Sequence, residues 1–275
     1  MRDGRQRDMR QKLRSDLIGR HAECRKLHAA INNRESLLVW GPADSGKTSL
    51  TKMVIDGLPE PDRRNCIYWA GAATVRQLVA ELVRGLYMAG DALVRNKVRQ
   101  DGCAEVSLNR WLRDQTSGRL KILLYSATKA GRYWVFLDHF PPATHAMAGF
   151  MKQIIWRCKT PVYLLARGCS HAEIGYAWSI YFTSQYHVSL GALPDSSARE
   201  LLEQCIQQFG LRSLDLQGFR EEVLRLSHHI PGSIVKMAEM AADARYQYGD
   251  QVKLGLVHVD YLMKTGIPNG RFGPH

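Results

Sequence analysis

Gly41-Pro42-Ala43-Asp44-Ser45-Gly46-Lys47-Thr48 is the stretch that decides the fold of this 275-residue chain. A short apolar run, residues 36–40, precedes it, and residues 47–58 carry apolar side chains at helical spacing after it. A strand, a glycine-rich turn and a helix in this order, with the spacing G-x-x-x-x-G-K-[ST], are typical of a loop that wraps phosphate groups. The sequence therefore predicts a nucleotide-binding site.

Each part of the loop has a chemical reason. The glycines let the backbone turn tightly, so that its amides point at phosphate oxygens, and the helix that follows adds the positive end of its dipole. Lys47 can then reach the β- and γ-phosphates of ATP, while the Thr48 hydroxyl can bind Mg²⁺. The residues predicted to contact the nucleotide here are Gly41, Pro42, Ala43, Asp44, Ser45, Gly46, Lys47, Thr48 and Ser49.

Two nearly continuous apolar segments, residues 132–137 and 161–166, predict strands buried on both faces, as in a parallel sheet covered by helices. Asp138 follows the first strand, where a carboxylate can hold Mg²⁺ opposite Thr48. Arg167 follows the second, where a guanidinium can bind the γ-phosphate and couple its loss to movement. An ordinary salt bridge at the strand end is the alternative role for Arg167.

His139 stands directly after Asp138, at a position where many ATPases carry a glutamate that orients and deprotonates the attacking water. An imidazole can accept a proton, so His139 is a candidate catalytic base. Its geometry differs from that of a carboxylate, however, and packing beneath the sheet is the alternative role. We therefore expect hydrolysis that is slow or depends on a partner.

The pattern of apolar residues divides the chain into four regions: a basic arm (1–16), an α/β core (17–192), a helical lid (193–265) and a loop-like tail (266–275). Further strands are expected at 65–70 and, at an edge of the sheet, near 186–190. Helices are expected near 74–90, twice within 104–130, at 142–157, from about 195 to 209, and near 217–228, 232–246 and 256–264.

The order of these elements resembles the AAA+/STAND branch of P-loop ATPases, which includes origin-recognition-like and NB-ARC-like modules. The resemblance covers residues 17–246 and rests on Leu17-Ile18-Gly19-Arg20, the loop, the strands ending at Asp138 and Arg167, and Ile230-Pro231-Gly232. It implies a P-loop NTPase fold of the α/β class, with a parallel sheet of strand order 5-1-4-3-2, helices on both faces and a C-terminal helical lid.

The same resemblance implies a nucleotide between core and lid, with Ile18 and Arg20 near the adenine and Pro231 against the base. The chain departs from the family pattern at His139. It also has Gly232 where origin-recognition-like members often carry a sensor arginine. Lys236, one turn further on, can substitute for that arginine, or it can be a solvated lysine.

Composition limits the classes of protein and of partner. The net charge is +12, and residues 1–34 hold ten Lys or Arg against four acids, which fits either a nucleic-acid partner or a solvated basic surface. No apolar run approaches the ~18 residues of a membrane span, and the first 16 residues lack the apolar middle of a signal peptide. Six scattered cysteines fit reduced thiols, so we expect a cytoplasmic protein.

Three functions remain open at this point. The first is an ATP- and ADP-binding switch of the AAA+/STAND type with weak Mg²⁺-dependent ATPase activity and a protein partner or self-association. The second is a DNA-associated helper ATPase of a mobile element or of replication, with the basic arm on phosphates. The third is a module that holds ATP without hydrolysing it and recruits a protein. Salt-sensitive DNA binding separates the second from the first, and phosphate release separates the third.

Overall fold

A computed structural model describes residues 18–71, 74–102 and 108–265. The basic arm (1–16) and the tail (266–275) therefore lie outside the described residues. The helices are α1 (His21–Asn32), α2 (Lys47–Asp56), α3 (Glu60–Arg64), α4 (Val75–Met88), α5 (Ala92–Gln100), α6 (Leu108–Asp114), α7 (Ser117–Thr128), α8 (His145–Cys158), α9 (His171–Ile174), α10 (Asp195–Gln208), α11 (Phe219–Ser227), α12 (Pro231–Ala241) and α13 (Leu254–Thr265). The strands are β1 (Leu37–Trp40), β2 (Cys66–Ala70), β3 (Trp134–Asp138), β4 (Val162–Ala166), β5 (His187–Ser189), β6 (Gln247–Tyr248) and β7 (Gln251–Val252).

Five strands form one parallel sheet in the order β2-β3-β4-β1-β5. Read from the other edge this is 5-1-4-3-2, so the predicted strand order and the P-loop NTPase fold class are confirmed. Strands β3 and β4 are buried along their whole length, as expected for central strands covered on both faces. The edge strand β5 is short and only partly buried. In a parallel sheet the carboxyl ends of all the strands lie at the same end of the sheet. This carboxyl end carries the candidate site.

The helices between β2 and β3 differ from the sequence prediction in one respect. Helices α4, α6 and α7 lie where they were expected, but α5 was missed. Only Val94 and Val98 of its sequence, ALVRNKVRQ, are buried. The apolar stripe is therefore too sparse to predict a helix. The short helix α3 and the hairpin β6–β7 were also missed. Among the described residues, no helix combines the length and the apolar character needed to cross a membrane.

The chain forms two compact units. The core unit comprises Ala22–Pro42 and Lys47–Leu190. Its sheet and helices α4 to α8 share one hydrophobic cluster. Among the described residues, the helical unit comprises 18–21, Ala43–Gly46 and 191–265. Its own cluster joins helices α10 to α13, and the tip of the glycine-rich loop belongs to this unit.

A buried carboxylate, Asp91, ties the start of α5 to the two residues that precede β3 inside the core unit. Its side chain is fully buried and accepts hydrogen bonds from Tyr133 Oη (2.6 Å), Arg132 Nη2 (2.6 Å) and the Val94 amide (3.0 Å). Burial alone would raise the pKa of Asp91, but these three donors together hold the pKa below its ordinary value. Burial, together with the hydrogen bond to Asp91, raises the pKa of Tyr133 to about 12.

We expect Asp91→Ala to lower the free energy of unfolding by about 3 kcal/mol, because the change leaves the buried Tyr133 hydroxyl and the Arg132 contact without an acceptor. Urea unfolding at neutral pH measures this loss.

The matched variant Asp91→Asn tests the charge. A carboxyl group whose pKa is lowered by folding contributes stability above its unfolded pKa, about 3.9, and loses it as the pH falls through the folded pKa. The stability difference between wild type and Asp91→Asn should therefore narrow from pH 5 to pH 3. A difference that does not change with pH contradicts the role of the charge.

Candidate nucleotide-binding site

The glycine-rich loop leaves β1 and enters α2. Lys47 Nζ donates hydrogen bonds to the carbonyl oxygens of Gly41 (2.8 Å) and Pro42 (2.7 Å), so the ammonium group is folded over the start of its own loop. Gly46 has a φ of 93°, a conformation that other residues rarely adopt, just before the first turn of the helix. The loop thus presents a cation and the amino end of α2 together, which is the arrangement that binds phosphate.

The predicted metal ligands lie side by side. Thr48 Oγ1, on the first turn of α2, donates a hydrogen bond of 2.6 Å to Asp138 Oδ2 at the end of β3. The two residues are 90 positions apart in sequence and meet because β3 ends at the same edge of the sheet as the loop. A hydroxyl and a carboxylate are the oxygen donors that Mg²⁺ takes beside a nucleotide phosphate.

Two further groups hold the Asp138 carboxylate, which is buried. Tyr68 Oη donates to Oδ2, and the His139 amide donates to Oδ1 at 2.8 Å. Sequence reasoning missed Tyr68. It lies on β2, and β2 pairs with β3 so that Ala70 stands opposite Asp138. A tyrosine two residues before the end of the neighbouring strand was the available signal.

His139 is not packed beneath the sheet, the alternative role considered in the sequence analysis. Its side chain is 71% exposed, and Nδ1 lies 3.1 Å from Asp138 Oδ1. Its φ is 51°, the left-handed conformation that non-glycine residues adopt at some energetic cost. The imidazole therefore stands in solvent beside the carboxylate.

Arg167 follows β4 at the same edge of the sheet. Its neighbour Ala166 pairs with Trp40 at the end of β1, and the Gly41 amide donates to the Ala166 carbonyl at 3.3 Å. The arginine side chain is exposed. Arg167 thus lies beside the start of the glycine-rich loop. This position is compatible with the predicted γ-phosphate contact.

In the helical unit, the tip of the loop touches the start of α12. The Gly232 amide donates to the Asp44 carbonyl at 2.8 Å, and Lys236 Nζ lies 2.7 Å from Asp44 Oδ2. A Cβ on Gly232 would lie 2.7 Å from the Asp44 Cβ, so a larger residue, such as a sensor arginine, does not fit without a shift. Lys236 is half-exposed but paired with Asp44. Pro231 is the first residue of this helix.

The Ile18–Arg20 segment is fixed within the same unit. Ile18 packs into its hydrophobic cluster, and Arg20 is buried and donates to the Gly191 carbonyl. Gly19, with a φ of 71°, approaches Ser197 so closely that a Cβ would lie 2.7 Å from the serine Cβ. Contact of Ile18, Arg20 and Pro231 with an adenine stays a prediction.

The residues present fit Mg·ATP chemically. The donor set consists of a lysine, a hydroxyl and a buried carboxylate held from both of its oxygens, at the amino end of a ten-residue helix. Elsewhere in the described ranges no group of three or more His, Cys, Asp or Glu side chains is arranged to hold a metal ion.

The chain has the fold of the P-loop NTPases, and the comparisons with solved structures support this fold. Among solved structures, the chain is similar to the Walker-type ATPase PABY2304 of Pyrococcus abyssi, with a TM-score of 0.56, 17% identity, and coverage of 91% of this chain and 73% of that one. It is also similar to the Aeropyrum pernix Orc1 protein in complex with DNA, with a TM-score of 0.57 and 14% identity. That match covers 89% of this chain and 66% of the Orc1 chain, just under two thirds of its length. No protein-family model and no curated protein matches the sequence.

Thr48 allows a matched test of the metal site. Thr48→Ser keeps the hydroxyl beside Asp138, whereas Thr48→Ala removes it. We expect Mg²⁺ to strengthen binding of a fluorescent ATP analogue to the wild type and to Thr48→Ser, and to have little effect on Thr48→Ala, because one of the two protein ligands is lost. Titrations of each protein in Mg²⁺ and in a chelator give the ratio of its affinities for the analogue with and without the metal. An unchanged ratio in Thr48→Ala places the metal elsewhere.

Proposed function

We propose that this chain binds ATP with Mg²⁺ and works as a nucleotide-dependent switch of the AAA+/STAND type with slow ATP hydrolysis. The observation that carries the proposal is the 2.6 Å contact between Thr48 and Asp138 beside the loop that holds Lys47. The contact brings together two residues that phosphate-loop ATPases need and that are remote in sequence. A chance glycine-rich turn would not be expected to bring an acid from a distant strand to this hydroxyl.

In this proposal each residue has one role. Lys47 binds the β- and γ-phosphates, and Thr48 and Asp138 hold the metal ion, which neutralises phosphate charge when bound. Tyr68 and the His139 amide position the Asp138 carboxylate. Arg167 binds a γ-phosphate oxygen and registers its loss, since a guanidinium binds such oxygens with defined geometry.

The contacts of the loop tip support a switch. Asp44 is joined to α12 by its own carbonyl, through Gly232, and by its carboxylate, through Lys236. A loop that adjusts to phosphate groups would therefore move or release the first turns of α12. Binding energy at the loop would be converted into a rearrangement that a protein partner, or a second copy of the chain, can read.

Slow hydrolysis follows from His139. A carboxylate at this position would orient and deprotonate water, and a general base contributes about 10²–10⁴-fold in rate. The imidazole is exposed beside Asp138 and has no second acid next to it in the sequence. We therefore assign the chain a low basal rate.

A DNA-associated ATPase is the second candidate function. The net charge of +12 supports it, and so does the architecture shared with the Aeropyrum pernix Orc1 protein, whose structure was determined in complex with DNA. The switch and the DNA-associated ATPase use the same nucleotide site, so they differ only in what the switch acts upon.

Lys47→Ala tests ATP binding. Loss of the charge-assisted phosphate contact should weaken binding of a fluorescent ATP analogue at least about tenfold, since such contacts contribute on the order of 1.5–3 kcal/mol. Lys26→Ala, an exposed lysine on α1, is the control and should bind normally. Equal affinity of all three folded proteins, checked by circular dichroism, would refute the assignment of the loop.

His139→Glu tests the reason for slow turnover. We expect steady-state phosphate release at saturating Mg·ATP to rise at least about tenfold, because even an imperfectly aligned carboxylate acts as a base. His139→Ala should change the rate little, and both variants must first bind ATP normally. A loss of rate in both would make His139 itself the base. Equal rates in all three proteins would place the limiting step in a conformational change or an absent partner.

A further inference from the structure

The net positive charge of the core unit is concentrated in one part of the chain. Between residues 115 and 172 the sequence has a single acid, Asp138, which is buried in the candidate site. The same stretch contains eight basic residues: Arg119, Lys121, Lys129, Arg132, Lys152, Arg157, Lys159 and Arg167. Helices α7 and α8 lie in this stretch, and neither carries an Asp or a Glu.

Helices α7 and α8 lie side by side. Tyr125 Oη of α7 donates to Gln153 Oε1 of α8, and the rings of Tyr125 and Phe150 are 6.2 Å apart. Lys121 Nζ of α7 lies 5.7 Å from the centre of the Phe150 ring. These contacts bring one side of each helix into a common surface, which we call the α7–α8 face: Lys121, Ile122, Tyr125, Lys152, Gln153 and Trp156.

Large apolar side chains stand open on this face. Trp156 is 58% exposed and Ile122 is 68% exposed. Lys152 Nζ lies 5.5 Å from the centre of the Trp156 ring, a cation–π arrangement that holds a charge next to an aromatic plane. In the described part of the chain, Lys121 and Lys152 form no ion pair with an acid. The α7–α8 face thus combines the exposed Trp156 ring with positive charge.

We propose that the α7–α8 face binds a single strand of nucleic acid, with Lys121 and Lys152 on phosphates and Trp156 stacked on a base. Single-strand sites combine a basic surface that follows the backbone with aromatic side chains that stack on bases. Duplex backbone binding needs the charge but not the tryptophan. The proposal adds a second site to the proposed nucleotide site and does not depend on ATP.

The absence of acids on α7 and α8 favours a polyanion over a protein partner. Protein interfaces pair charges of both signs at their rims, whereas these two helices offer only positive ones. An anionic lipid surface shares the charge preference, so it is made an outcome of the test. A face that binds lipid would insert Trp156 and Ile122 into the membrane as apolar anchors. Such a face would bind single-stranded and duplex probes equally.

The experiment measures binding of a labelled 20-nucleotide oligo-dT, and of a duplex of the same length, at several salt concentrations. We expect Lys121→Glu/Lys152→Glu to weaken oligo-dT binding at least tenfold at low salt. The slope of log K against log salt should fall by about 1.4, since each single-strand phosphate contact contributes about 0.7. Trp156→Ala should weaken oligo-dT binding about tenfold and leave duplex binding nearly unchanged.

The helical unit supplies a matched control. Lys253 Nζ lies 5.1 Å from the ring centre of Tyr248, which is 75% exposed, so this pair reproduces the lysine-over-aromatic arrangement in a segment that contains Asp250 and Asp260. Lys253→Glu/Lys264→Glu removes as much charge as the double variant of the face, and Tyr248→Ala matches Trp156→Ala. We expect both control variants to bind oligo-dT like the wild type.

Several outcomes overturn the proposal. They are no binding of oligo-dT by the wild type at low salt, an equal loss in the control variants, and an equal loss of duplex and oligo-dT binding in Trp156→Ala. Binding of anionic vesicles that is lost in the face variants while oligo-dT binding is kept would reassign the surface to lipid. Circular dichroism and retained binding of the ATP analogue show that each variant is folded and keep this test separate from that of the nucleotide site.

Discussion

The carboxylate of Asp138 is the group on which the candidate site depends. A buried charge without partners costs several kcal/mol, so the fold must supply donors to it. It does so from three directions: the Thr48 hydroxyl on α2, the Tyr68 hydroxyl on β2 and the backbone amide of His139. The same need brings the glycine-rich loop, the neighbouring strand and the end of β3 to one point. A metal ion would find its oxygen ligands already assembled there.

The parts that the sequence predicted are those with local signals. The phosphate loop has fixed spacing, β3 and β4 have continuous apolar runs, and the strand order follows from the resemblance to AAA+/STAND ATPases; the sheet confirms it. Tyr68 was missed because its role depends on the register between β2 and β3, which places Ala70 opposite Asp138 and which the predicted strand order does not specify. Helix α5 was missed because its apolar stripe is sparse and because its capping residue, Asp91, is anchored by residues about 40 positions later.

In the helical unit, too, a contact between residues far apart in sequence could not be predicted. The sequence offered two roles for Lys236, a substitute for a sensor arginine or a solvated lysine, and no spacing rule could relate it to Asp44, 192 positions away. The contact also explains Gly232 physically, since the amide of a residue without a side chain can approach the loop tip. A departure from the family pattern is thus accounted for by packing at the loop.

The left-handed backbone of His139 has a consequence for how such chains diverge. In this region of φ and ψ, asparagine, aspartate and histidine are accepted more readily than other non-glycine residues, and glycine is accepted best. The shape of the turn therefore filters which residues can drift into the position, independently of any chemistry. A lineage that acquires a glutamate here would be expected to remodel the turn as well. Hydrolytic capacity and local backbone shape would then be inherited as a single trait.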